Sequence, residues 1–135
     1  MELSFDWFKE YVHKNDQHGT SVYSSVLKLI MEFCDEEKIM FFYPKNYRLL
    51  HEMEYILFFE DGYLTISKED TEYKLDRYYC KVLTKSIKTS RFTDKIELVI
   101  HFNNGNNLKF NNEKDSSFER EEEYLQLIKE LNKII

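Results

Sequence analysis

No alanine occurs anywhere in these 135 residues, proline occurs once and glycine only three times. Three glycines are too few for a phosphate-cradling loop, and neither a nucleophile elbow nor a kinase-type motif set is present. The two cysteines, Cys34 and Cys80, stand alone and far apart. That spacing is no disulfide framework; it reads as two buried, reduced thiols in a cytoplasmic protein. No apolar run approaches the roughly 18–20 residues that span a bilayer, and Tyr55–Phe59 is only strand-sized. Met1 to Asp6 lacks a basic stretch leading into an apolar one, so neither a signal peptide nor membrane insertion is expected.

What is abundant defines the class. Hydrophobic residues make up 42% of the chain and aromatics 16%, enough to build one core in a chain of ordinary domain size. The 33% of charged residues are interleaved with bulky apolar ones, unlike a disordered chain. Lysine outnumbers arginine 15 to 4, and Ile, Asn, Tyr and Phe are plentiful, which reflects AT-rich codons and a low-GC genome. A raw lysine count therefore carries little functional weight. The net charge of −6 repels phosphate backbones, so nucleic acid is not an expected partner.

Along the chain, residues 4–38 read as a helical hairpin. Ser4 caps a first helix bearing Phe5, Phe8, Tyr11 and Val12, and Thr20 or Ser21 caps a second bearing Val22, Val26, Leu29, Ile30 and Phe33. The period changes from residue 39. Ile39–Tyr43, stopped by Pro44, is either a short strand or a buried connector, and Arg48–Glu54 suits a helical turn as well as a strand. Glu60-Asp61-Gly62 between Tyr55–Phe59 and Tyr63–Ile66 is a hairpin signal, with glycine expected to supply the positive φ of the turn. Tyr73–Leu75 is a further strand, and Tyr78–Thr89 is one long strand or two bent ones. Ile96–Phe102 alternates cleanly and returns through an Asn-Gly turn to Leu108 and Phe110. Asn111–Ser116 reads as a loop, and Ser117 caps a final helix to residue 135 with acidic residues in its first turns. The order is a single α+β domain: two helices, an antiparallel bent sheet or partial barrel of six to seven strands over 39–111, and a helix over 117–135. Tyr55–Phe59 is apolar on both faces, so its outer face needs a cover. That is either the leading hairpin or a second copy of the chain.

From about Tyr55 onward, the strand–Asp-Gly–strand hairpin Ile56–Ile66, the Asn/Gly-tipped pair Lys95–Phe110 and the closing helix resemble the bacterial pleckstrin-homology-like domains of low-GC Gram-positive bacteria. The leading helices lie outside the resemblance as an extension. Lipid-binding members of that group carry basic residues in the loop joining their first two strands. Taken as that loop, Glu60-Asp61-Gly62 is short and acidic, which argues against a phosphoinositide site.

The remaining candidates are surface features. His13, His18, His51 and His101 lack metal-ligand spacing, and Asp35-Glu36-Glu37, Glu60-Asp61 and Glu69-Asp70 fall at element ends, where solvated carboxylates are normal. No catalytic, cofactor or metal set is expected, so the chain reads as a non-enzyme. Lys81, Lys85, Lys88, Arg91 and Lys95 put five cations against Asp94 within 15 residues, a candidate patch for an acidic partner or an anion. Tyr55, Phe59, Tyr63 and Tyr79 belong to an aromatic surplus that marks a candidate interface. Together these point to a protein-binding or self-associating module. The alternative is an acidic protein of the immunity or antitoxin type that neutralises a basic effector.

Overall fold

Two serines start the leading helices. In the computed structural model, which describes residues 3–15, 19, 21–49, 51–116 and 120–135, Ser4 Oγ accepts a hydrogen bond from the Trp7 N–H at 3.1 Å at the head of α1 (Phe5–Asn15). Ser21 Oγ does the same for the Ser24 N–H, also at 3.1 Å, at the head of α2 (Val22–Phe33). Each satisfies a donor that the first helical turn leaves unpaired. The expected caps Thr20 and Ser117, with His18, lie outside the described residues. A 3-10 turn, Glu36–Lys38, carries the chain from α2 into the strands.

Among the described residues seven strands follow: β1 (Phe41–Lys45), β2 (Glu54–Phe59), β3 (Gly62–Glu69), β4 (Glu72–Tyr79), β5 (Val82–Thr89), β6 (Ile96–Phe102) and β7 (Asn107–Asn111). They form two antiparallel meanders, a four-stranded sheet in the order β1-β2-β3-β4 and a three-stranded sheet in the order β5-β6-β7. A short helix, α3 (Asn112–Asp115), and a long one, α4 (Glu121–Ile134), complete the chain. The architecture is α+β with two open sheets, not a closed barrel.

Several local expectations need correction. Pro44 does not stop β1 but lies within it; β1 is an edge strand, the one place in a sheet that tolerates a residue without an N–H. The stretch Tyr78–Thr89 is not continuous: it breaks at Cys80-Lys81, and β4 and β5 belong to different sheets. Asn111–Ser116 is not a plain loop, because the Asn111 side chain accepts from the Glu113 and Lys114 N–H groups and nucleates α3. The helix expected from residue 117 has Glu121 as its first helical residue, preceded by Arg120 at a left-handed φ of 56°. Glu60-Asp61 joins the second and third strands, while residues 46–53 join the first two.

β2 holds the layers together. Its Ile56 and Phe58 face inward between the sheets, packing with Tyr43, Leu98, Phe110 and Tyr124. Its Tyr55, Leu57 and Phe59 face outward, where the leading helices supply Phe8, Val26 and Ile30. The Phe8 ring stacks on Phe42 at 5.2 Å and meets Tyr55 edge-on at 5.6 Å. The cover for the apolar strand is thus the chain's own helical hairpin. Burying each such side chain contributes about 1.5–3 kcal/mol.

A buried polar clip fastens the C-terminal helices to β1. The Asp115 carboxylate accepts from Tyr43 Oη at 2.6 Å and from the Asn111 N–H at 2.9 Å, with the Lys45 ammonium 3.8 Å away. The Asp115 carbonyl accepts from the Asn46 N–H at 2.8 Å, and Tyr124 Oη donates to the Pro44 carbonyl. Burial pushes the Asp115 carboxyl above its usual value of 3.8, although Lys45, Tyr43 and the Asn111 N–H all favour the anion.

Two measurements test this frame. Gly62 has φ +143°, and a Cβ there would lie 1.9 Å from the Tyr78 carbonyl oxygen, so the close approach of β4 demands glycine as much as the turn does. Gly62→Ala is expected to cost about 3 kcal/mol or more in chemical denaturation; a change below about 1 kcal/mol would contradict the contact. A carboxyl whose folded pKa is raised favours folding most below pH 3.8, and that contribution is lost as pH rises through the raised value. Asp115→Asn should therefore gain stability relative to wild type between about pH 3 and about pH 8 in urea titrations; a constant difference would remove the assignment.

Candidate functional site

β5 turns almost nothing inward. Val82 is half-buried, and every residue from Leu83 to Thr89 is exposed. The reason lies in its neighbour. Ile96, Leu98, Ile100 and Phe102 of β6 fill the inner face of the three-stranded sheet, and α4 packs on β1, β6 and β7. A helix about 10 Å across covers roughly two strands spaced about 4.8 Å apart, so the third is left out. β5 also ends the sheet order, so among the described residues one of its edges has no strand beside it. Every second residue there turns its N–H and C=O away from β6.

The cationic segment lies along this strand and its far turn. Lys85 opposes Ile100 and Lys88 opposes Glu97, which sets the two lysines on opposite faces. Lys81 precedes the strand, and Arg91 and Lys95 stand in the turn beyond it. The five exposed cations therefore do not share one sheet face; they form a stripe on both sides of the open edge. Lys85 Nζ donates to the Asn132 carbonyl of α4 at 2.8 Å. The register shifts between Val82 and Thr84, a bulge that throws Leu83 outward. Leu83 and Ile87 are both exposed, and Phe92, at the tip of the turn, is 88% exposed.

A second feature adjoins the start of β5. The outer face of the four-stranded sheet is covered by α1 and α2 except beyond the end of α2. There a groove of about 1290 Å³ opens over Phe59, Leu64 and Leu75, walled by Phe33, Met40 and Tyr79. Arg77 is inserted between the Phe59 and Tyr79 rings, its guanidinium carbon 4.5 and 4.3 Å from their centres. It also pairs with Asp61 and donates to the Tyr78 carbonyl at 2.7 Å. That guanidinium holds the Asp61 carboxyl below the usual range. Cys34 lines the groove, and burial pushes its thiol up, as it does for Cys80, leaving both as weak nucleophiles.

The expected aromatic interface is largely interior. Tyr55 and Tyr63 are buried in the chain's own cores, and Phe59 forms the groove floor. Only Tyr79 reaches the surface, at 71% exposure. Alternation explains the difference: Tyr55 and Phe59 share the helix-covered face of β2, and Tyr63 faces the interior between the sheets. His101 Nδ1 lies 2.6 Å from Asn107 Oδ1, and His13 and His51 are exposed. No cluster of three or more metal-ligating side chains exists among the described residues. No helix among them is long and apolar enough to cross a membrane. Phe33, expected on the apolar stripe of the second helix, is instead 70% exposed at its C-terminal end, and Leu83 and Ile87 were not among the expected interface residues. Phe92 is the only aromatic residue between Lys81 and Lys95.

No known family model, curated protein or solved structure matches the chain. The surface itself must carry the functional argument.

Arg77→Ala removes two ring contacts and an ion pair and is expected to cost about 1–2 kcal/mol in urea denaturation. Arg77→Lys should recover less than half of that, because an ammonium lacks the planar fork that stacks. Full recovery by lysine would show that charge alone matters at this position.

Proposed function

We propose that this protein is a non-enzymatic protein-binding module with a pleckstrin-homology-like body, and that it takes an acidic, extended segment of a partner protein along β5. The four-strand meander, the three-strand meander and the closing helix support the pleckstrin-like reading of the body. In that reading α1 and α2 are an added cover over the outer face of the first sheet.

One observation carries the binding surface: an eight-residue strand with exposed side chains and a free edge, bordered by cations on both faces. An extended segment added there gains main-chain hydrogen bonds, while side chains on either face set its specificity. Charge selects the occupant. Lysines on an open edge suppress pairing with like-charged strands, so two copies of β5 laid together would set Lys85 and Lys88 against their equivalents. An acidic segment meets the same cations favourably, although the chain as a whole carries a net charge of −6.

A ten-residue strand-forming peptide that alternates glutamate with valine and threonine, and its lysine counterpart, test the reading by fluorescence anisotropy. The acidic peptide should bind, weaken as salt rises, and slow amide exchange within β5. The pair Lys81→Glu/Lys88→Glu should weaken it about tenfold or more. Binding of the lysine peptide alone would replace this reading with the immunity- or antitoxin-type one. Absence of binding, or protection elsewhere than β5, would overturn it.

A further inference from the structure

We propose that the turn Ser90–Lys95 of one copy seats Phe92 in the groove between the end of α2 and β4 of a second copy. The contact is separate from strand addition at β5 and stands without it.

The two surfaces are complementary in kind. Phe92, 88% exposed, is the most exposed large apolar side chain described, and the Arg91 guanidinium lies 5.6 Å from its ring centre. The turn that presents it is already formed. Ser90 Oγ accepts from the Phe92 and Thr93 N–H groups at 3.2 Å, and the Ser90 N–H donates to the Lys95 carbonyl at 3.2 Å. A formed turn loses little conformational freedom on docking. The groove has the matching chemistry: an apolar floor of Phe59, Leu64 and Leu75, and the exposed rings of Phe33 and Tyr79 as walls. Its volume of about 1290 Å³ exceeds what one phenyl ring needs, so the flanking residues of the turn enter with it.

Charge favours the same pairing. The turn carries Arg91 and Lys95 against Asp94. Once the Asp61–Arg77 pair is set aside, the groove rim carries Asp35, Glu37 and Glu60 against Lys38 and Lys81, one carboxylate more than cations. None of those three carboxylates is in a salt bridge with a described residue. The contact is intermolecular by length: β5 separates the rim residue Lys81 from the turn by about 26 Å at roughly 3.3 Å per residue. One ring buries on the order of 150–250 Å², far below a standard interface, so the association is weak and concentration-dependent.

Sedimentation velocity of the full chain, at concentrations up to about 1 mM where a millimolar contact half-associates, should show self-association that Phe92→Ser and Phe33→Asp each abolish. Both positions are exposed, so neither variant threatens the fold. Mixing the two variants should restore a dimer, because each supplies the half that the other lacks. A wild-type monomer throughout this range would overturn the proposal. So would association unaffected by either variant, or variants that fail to complement. Peptide binding at β5 would survive Phe33→Asp in every case, which separates this result from the previous one.

Discussion

A strand with no wet side governs this molecule. β2 buries Ile56 and Phe58 between the sheets and Tyr55 and Leu57 beneath the helices, so each face must find its own cover. That requirement draws α1 and α2 across one face of the first sheet, and the second sheet with α4 across the other. The first sheet separates the two cores, and Trp7 packs against both of them. Loosening either cover would expose a strand that water cannot solvate without losing several large apolar side chains from the interior.

Coverage is incomplete at both margins, and both exposed features follow from it. α2 ends at Phe33, before the far end of β2–β4, and leaves the groove over Phe59, Leu64 and Leu75. α4 spans β6 and β7 and leaves β5 outside. These gaps are consequences of helix length and width, not of special residues. What is specific is the composition placed in them: aromatic walls around the groove, and cations with Leu83, Ile87 and Phe92 along the open strand and its turn.

Much of the frame was legible in the chain. Ser4, and Thr20 or Ser21, marked the starts of the leading helices, the alternation of Ile96–Phe102 marked a half-buried strand, and the apolar pattern of Tyr55–Phe59 required some cover on its outer face. Less legible were features whose cause lies outside the local window. The bend at Cys80-Lys81 arises because β4 and β5 join different sheets, and Asn111 caps α3 in a stretch with no helical period. Pro44 reads as a stop, yet at a sheet edge a missing N–H is tolerated. The basic stripe was visible as spacing, but its relation to an open edge was not. Among the aromatics, Tyr79 and Tyr78 look alike in sequence and differ only in which side of β4 they occupy.

The sequence by itself determined periodicity, caps, turns and the need for a two-sided burial of β2, because these depend on residues within a few positions of one another. Tertiary structure decided which aromatics are core, why Gly62 is indispensable, and where the cationic stripe lies. Those outcomes depend on how far each helix extends over strands that are remote in the chain, a distance that no local pattern encodes.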